Sequence, residues 1–378
     1  MRGRMIVTVL VIASGLVAAA PAAAAGGSSA AASAPTPQWR VQPTPLPDYG
    51  DGGSWQDGYF EAVSCPTTSV CLALGGGTFQ FPESLGGWWN SSSWSLAGTG
   101  ITGLENNQGI SSPQMSCVSA KRCYAIVDAA NIDTQIAGYS VWNGNDWSQT
   151  NDLPGEKQGD ELNGISCTST KFCMAVGWIG GNTLFALAYN GHKWRKVPPA
   201  KSRAQQLNGV SCPAANACFA VGPSPGGGQL GLIERWNGRR WGVQRVPLAT
   251  GARKISLNDV SCSTRTACVA VGSYQGPAKK SHVLALRWDG HGWRRLAFTN
   301  SSGDLISVSC VAGGSCVAVG SLSRQPVARM WNGTRWILQR IPNGAYAGLA
   351  SVSCKTATYC MAVGTLPGGV APFAASYS

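Results

Sequence analysis

Seven cysteine pairs share one spacing: Cys65 with Cys71, Cys117 with Cys123, Cys167 with Cys173, Cys212 with Cys218, Cys262 with Cys268, Cys310 with Cys316 and Cys354 with Cys360. Seven recurrences of C-x5-C make each pair part of a repeated unit and not an isolated site. Zinc sites pair C-x2-C or C-x4-C with a second such pair or with histidines, and the only histidines are His192, His282 and His291. Local disulfides within each pair are the better reading, and they need an oxidising compartment. The amino terminus offers the route there. Arg2 and Arg4 precede an uncharged stretch from Met5 to Ala20, and small residues follow with A-x-A cleavage sites near Ala24 or Ala25. This pattern predicts a secretory signal peptide over residues 1–25 and a flexible Gly/Ser/Ala/Pro linker over 26–36. The mature chain is then a secreted, extracellular protein with no membrane span.

The residues around each pair repeat as well. The unit reads L-x-x-V-S-C-x5-C-x-A-V-G, then a variable loop, then an apolar strand ending in W-N-G-x-x-W, then V/L-x-x-V-P. Its best copies run Leu207 to Pro247, Leu257 to Ala297 and Leu305 to Pro342. First cysteines are separated by 52, 50, 45, 50, 48 and 44 residues, which suits a four-stranded blade of a β-propeller and exceeds a solenoid coil. With 44% hydrophobic residues the chain has enough apolar surface for a core, and its 49 glycines follow no collagen period. In the fifth copy, Leu257, Val260 and Cys262 belong to strand one, Ser263 to Ala267 to a turn, and Cys268 to Gly272 to strand two. Strand three is Val283 to Trp288, Asp289-Gly290 is a tight Asx-Gly turn, and strand four starts at Trp293. Asn143-Gly144, Asn190-Gly191, Asn237-Gly238 and Asn332-Gly333 repeat that turn, and Asn90-Ser91 is a degraded version.

The last copy ends after Pro372 to Ser378, which supplies strand three and no strand four. The missing strand lies at the other end of the chain, because Trp39 to Pro45 has the pattern of Trp241 to Pro247 and Trp336 to Pro342 without strands one to three before it. An amino-terminal strand completing the last blade closes the ring and removes its open edges. The expectation is an all-β fold, a seven-bladed β-propeller over residues 37–378.

A glycine-terminated second strand, an aromatic residue in strand three, a tryptophan opening strand four and a following proline resemble the kelch repeats of galactose-oxidase-like propellers. The W-N-G-x-x-W hairpin is similar to a degenerate Asp-box of the sialidase type, at the same turn between strands three and four. The resemblance spans nearly all of 39 to 378. It departs from kelch in A-V-G for the double glycine and in the added cysteines, and it implies the fold without carrying over a copper site or an arginine cluster.

Strand one lines a propeller's channel, and here it offers small neutral residues: Ser166, Ser211, Ser261, Ser309 and Ser353 before cysteines, with Asn163, Asn208 and Asn258 upstream. Glu61 and Asp259 are the acidic exceptions, from blades one and five. No histidine falls near the serine ring to act as a base, and no cofactor or metal site is read. Tryptophans at fixed positions (Trp142, Trp147, Trp194, Trp236, Trp241, Trp288, Trp293, Trp331, Trp336) are expected as packing between blades. Aromatic residues in variable loops, namely Trp55, Phe79, Phe81, Trp178 and Tyr274, are better candidates for binding, since loops 2–3 and 4–1 emerge on one face.

Charge is lopsided. Residues 36–189 hold 5 Lys+Arg against 13 Asp+Glu, and residues 190–378 hold 22 against 4. On the loop face the basic half presents Lys201, Arg203, Arg253, Lys254, Lys279 and Lys280, whereas Arg239, Arg240, Arg294 and Arg295 sit at the opposite turns. Two functional readings follow. The first is a monomeric extracellular binding module that recognises a glycan, an anionic cell-surface polymer or a protein through its loop face, with no nucleic acid partner expected for an exported chain. The alternative is a glycan-active hydrolase or lyase with carboxylates borne on loops.

Overall fold

Blade 5 shows how one repeat folds. Its strands Arg253–Thr264, Ala267–Gln275, Ser281–Trp288 and Trp293–Arg295 pair in sequence order as an antiparallel sheet. Val283, Leu284, Ala285 and Leu286 are all buried, so strand three is apolar on both faces, as a sheet pressed between two neighbours requires. The computed structural model describes residues 36–378 except 49–54, 79–81, 102–109, 131–134, 155–159, 181–182, 203, 225–230, 248–250, 277, 299–301, 323–324 and 343–347. The expected signal peptide, the expected linker before Thr36, Phe79, Phe81 and Arg203 lie outside the described residues. Seven such four-stranded sheets make up Pro37–Ser378, a seven-bladed β-propeller.

The inner hairpin is tighter than the sequence suggests. Strand one runs on to Thr264, the turn is only Arg265-Thr266, and Cys262 lies directly opposite Cys268. Every cysteine pair is bonded within its own inner hairpin, as the spacing predicts. Cys65 is joined to Cys71, Cys117 to Cys123, Cys167 to Cys173 and Cys212 to Cys218. Cys262 is joined to Cys268, Cys310 to Cys316 and Cys354 to Cys360. Cα–Cα distances are 3.9 to 4.0 Å in all seven bridges, and in blades 2, 3, 5, 6 and 7 the two cysteines face each other directly across strands one and two. The outer hairpin is wider than a two-residue turn. In blade 5 four residues separate the facing pair Trp288 and Trp293, and the Asp289 carboxylate accepts the N–H groups of His291 and Gly292, both at 3.0 Å. Asn332 does the same for Thr334 and Arg335. Gly290 sits at φ 96° and Gly333 at 97°, a conformation open to glycine at little cost.

The A-V-G glycine has a different cause. Strand one carries a β-bulge in blade 5 between Leu257 and Asp259, which drives its backbone against strand two. A Cβ on Gly272 would stand 2.0 Å from the Ser256 carbonyl oxygen, and one on Gly177 would stand 1.9 Å from that of Glu161. Blade 2 puts Val127 at this position, and there the same one-residue shift is spread over a longer stretch, between Ser111 and Gln114, with Ser112 at φ 49°.

The serine before each first cysteine joins neighbouring blades. Ser64 Oγ accepts the Cys117 N–H (3.1 Å), Ser116 that of Cys167 (3.0 Å), Ser166 that of Cys212 (3.0 Å) and Ser211 that of Cys262 (2.9 Å). Ser261, Ser309 and Ser353 continue to Cys310, Cys354 and Cys65, each at 2.9 Å. These seven bonds run once around the ring.

The ring closes at blade 7, where Gly348–Thr356, Tyr359–Thr365 and Pro372–Tyr377 are completed by Trp39–Gln42. Trp39 faces Tyr377 and Gln42 faces Ala374. Gln38 and Ser378 exchange backbone hydrogen bonds, and Trp39 is 2% exposed.

Candidate functional site

The channel is a cavity of about 510 Å3 whose wall is mostly hydroxyl and amide. Much of that polarity is already committed between blades. Besides the serine ring, Asn163, Asn208 and Asn258 each donate from Nδ2 to a carbonyl in or just before strand one of the next blade, those of Leu207, Leu257 and Leu305, at 2.8 to 3.1 Å. Asp259 is likewise engaged: its Oδ2 accepts the Val308 N–H (2.8 Å) and the Ser307 hydroxyl (3.1 Å), and its Oδ1 accepts the Val260 N–H (2.7 Å). Burial raises its carboxyl to about 6 against the opposing pull of these donors.

On the acidic side, Asp128 lies near the end of strand two of blade 2, Arg122–Ala130, at 1% exposure. Burial, then the charge of Glu161, lift it to about 8, while the Leu162 N–H pulls the other way. Glu61 is raised by burial and lowered by the Ser112 backbone. Trp178 is half-buried here and donates from Nε1 to Glu161 Oε2 (3.2 Å). Trp55 lies in the core between blades 7 and 1 at 5% exposure, so the expectation of a loop-face aromatic surface there is corrected.

The basic residues do converge, on blade 5. Its inner hairpin is extended upward, with twelve residues in strand one, and Arg253 pairs with Gln275, which pairs with Ser281. Arg253 and Lys254 therefore stand about two strand spacings, about 10 Å, from Lys279 and Lys280. All four are exposed. Lys254 and Lys279 hold φ of 45° and 56°, two of only four non-glycine residues with positive φ among those described. Such backbone is costly for a side-chain-bearing residue and collects at functional sites. Beneath them, Tyr274 stacks on His282, ring centroids 5.3 Å apart at 26°. Lys201 is exposed on the loop entering blade 4. That loop is anchored where the Ala200 N–H meets Glu234 Oε2 at 2.9 Å, and burial raises the Glu234 carboxyl to about 7. Arg294, at an opposite-face turn, is instead paired with Asp289 at 2.8 Å.

Two fixed-position tryptophans depart from expectation. Trp194, Trp236, Trp241, Trp288, Trp293, Trp331 and Trp336 are buried between blades, but Trp142 and Trp147 are only half-buried. They line a groove with Trp88. Sequence reasoning missed this because the cause sits in the preceding blade, in the glycines of blade 1.

No family model matches the chain, and no curated protein matches its sequence. Solved structures share the fold. The chain is similar to YCF48 from Cyanidioschyzon merolae at 10% identity and a TM-score of 0.58, over 90% of this chain and 98% of that one. It is similar to the β-propeller domain of the trilobed protease from Pyrococcus furiosus, described as having an open velcro topology, at 9% identity and a TM-score of 0.58, over 85% and 96%. A GH74 xyloglucanase from Xanthomonas campestris matches at 13% identity and a TM-score of 0.56, over 89% of this chain and 53% of that one.

Proposed function

We propose that the protein is a secreted binding module that captures an anionic extracellular polymer, an acidic glycan foremost, on the upper end of blade 5. The observation that carries this reading is the convergence of Arg253 and Lys254, at the top of strand one, with Lys279 and Lys280, in the loop entering strand three, two of the four held at positive φ. A cluster of cations on a rigid extension gathers polyanions by raising the local potential. Lys201, with Arg203 two positions further along the sequence, adds to the basic charge of the loop entering blade 4. Export through the signal peptide accords with seven disulfides, and the repeat is read as kin to kelch and Asp-box hairpins.

A hydrolase or lyase is the second reading, favoured by Asp128, which at about 8 is a protonated acid at neutral pH next to ionisable Glu161 and Glu61. Its 1% exposure leaves a substrate oxygen no approach, which places binding first.

The test is retention on immobilised polygalacturonate. The variant R253Q/K254Q/K279Q/K280Q is expected to lose binding at about 0.15 M salt, where exposed charges are screened beyond about 8 Å. R239Q/R240Q/R294Q/R295Q is expected to keep most of it. Equal loss in both variants would reduce the attraction to net charge and sink the proposal, and release of new reducing ends would favour the enzyme.

A further inference from the structure

The groove between blades 1 and 2 breaks the repeat in one place. At the interface of blades 4 and 5, Phe219 plugs the slot, 5.1 Å from the Trp288 ring and 5.2 Å from that of Trp293, and the Arg235 guanidinium lies 5.4 Å over Trp288. Ile233 fills the same interface. Blade 1 presents Leu72, Trp88 and Gly86 at the positions of Phe219, Arg235 and Ile233, as the shared register opposite the strand-two cysteine shows. The shorter Leu72 and the missing side chain of Gly86 leave the slot unfilled, although Thr99 folds back over Gly86. What remains is a groove of about 270 Å3.

Its floor is aromatic and continuous. Trp88 and Trp142 have centroids 5.4 Å apart at 38°, and Trp142 and Trp147 5.7 Å apart at 52°. Its mouth is polar. Asn143 Oδ1 accepts the N–H groups of Asn145 (2.8 Å) and Asp146 (2.9 Å), which fixes the turn and leaves both side chains exposed at the rim. A wholly apolar occupant would strip water from the Asp146 carboxylate and return no hydrogen bond, and an anion would be repelled by it. The three indoles are tilted to one another and offer successive faces for stacking, and an organic cation, which needs only one such face, is the rival occupant that the experiment separates. A ring with one C–H face for the indoles and hydroxyls around its edge for Asn145 and Asp146 satisfies every surface.

We propose that this groove is a subsite for a neutral pyranose ring, separate from the polyanion site on blade 5. Binding here rests on stacking and hydrogen bonds, so it is insensitive to salt. The experiment is titration of the full mature chain with methyl glucoside, methyl mannoside, methyl galactoside and N-acetylglucosamine, followed by tryptophan fluorescence and calorimetry, with choline chloride as a rival probe. At least one sugar is expected to bind saturably, with affinity reduced at least about tenfold in W147A and in A97F. A97F projects a ring into the groove from an exposed strand position and leaves the core untouched, so it keeps the test valid if W147A folds poorly. The quadruple blade 5 variant is expected to bind the sugar normally, which separates failure of this site from failure of the other. No saturable sugar binding up to about 50 mM, sugar affinity unchanged in A97F, or saturable binding of choline alone would overturn the proposal.

Discussion

Replacing Asp128 with asparagine is expected to stabilise the protein at alkaline pH and to flatten its pH dependence. The carboxyl is 1% exposed and raised from 3.8 to about 8. Because its folded value lies above its unfolded one, the folded state holds the proton more tightly, and stability falls as pH rises from about 4 to about 8. At 1.36 kcal/mol per pH unit the full span corresponds to about 5 kcal/mol, an upper figure for one carboxyl. Glu234, at about 7, and Asp259, at about 6, act in the same direction over narrower windows. Asp289 is lowered by the N–H groups of its turn, so it loses its contribution only in acid below this range. Guanidinium midpoints measured without reductant at pH 5 and pH 8 provide the assay. Wild type is expected to be less stable at pH 8, and D128N to recover several kcal/mol of that loss. A wild type equally stable at both values, or a D128N variant with the full wild-type drop, would refute the reasoning.

The ring closure and the inner hairpins provide further tests. Deleting Trp39 to Pro45 removes a buried indole and bares the edge of Pro372–Tyr377, and W39A alone is expected to cost about 3 to 5 kcal/mol; removing 26–35 is expected to leave the melting temperature unchanged, and equal melting of the two truncations would contradict the shared blade. Peptide mapping should find all seven bridges within their own hairpins, and C262S/C268S is expected to lose about 2 kcal/mol through the short loop it opens.

The scaffold was legible because its determinants are local. A cysteine pair six residues apart, an Asx-Gly turn and a glycine at the bulge act within one hairpin, so spacing alone places them. The serines were legible as channel residues but not as links, since each partner lies on the next blade; their presence before all seven first cysteines was the available signal. Blade 5 was visible in composition, as Arg253, Lys254, Lys279 and Lys280, but its upward extension was not. The groove at Trp142 and Trp147 was hidden for a further reason. Whether a tryptophan is covered depends on the side chain facing it from the preceding blade, and Gly86 and Leu72 belong to strands whose own pattern is ordinary.

The links from serine to cysteine run in one rotational sense, from each blade to its successor, and the step from Ser353 to Cys65, at 2.9 Å, falls within the 2.9 to 3.1 Å of the others. In this link the seam between the last blade and the first matches the other boundaries in the circle. Since Gln38 and Ser378 already lie side by side, a short tether joining them would let the polypeptide begin at any loop between blades and rebuild the same circle.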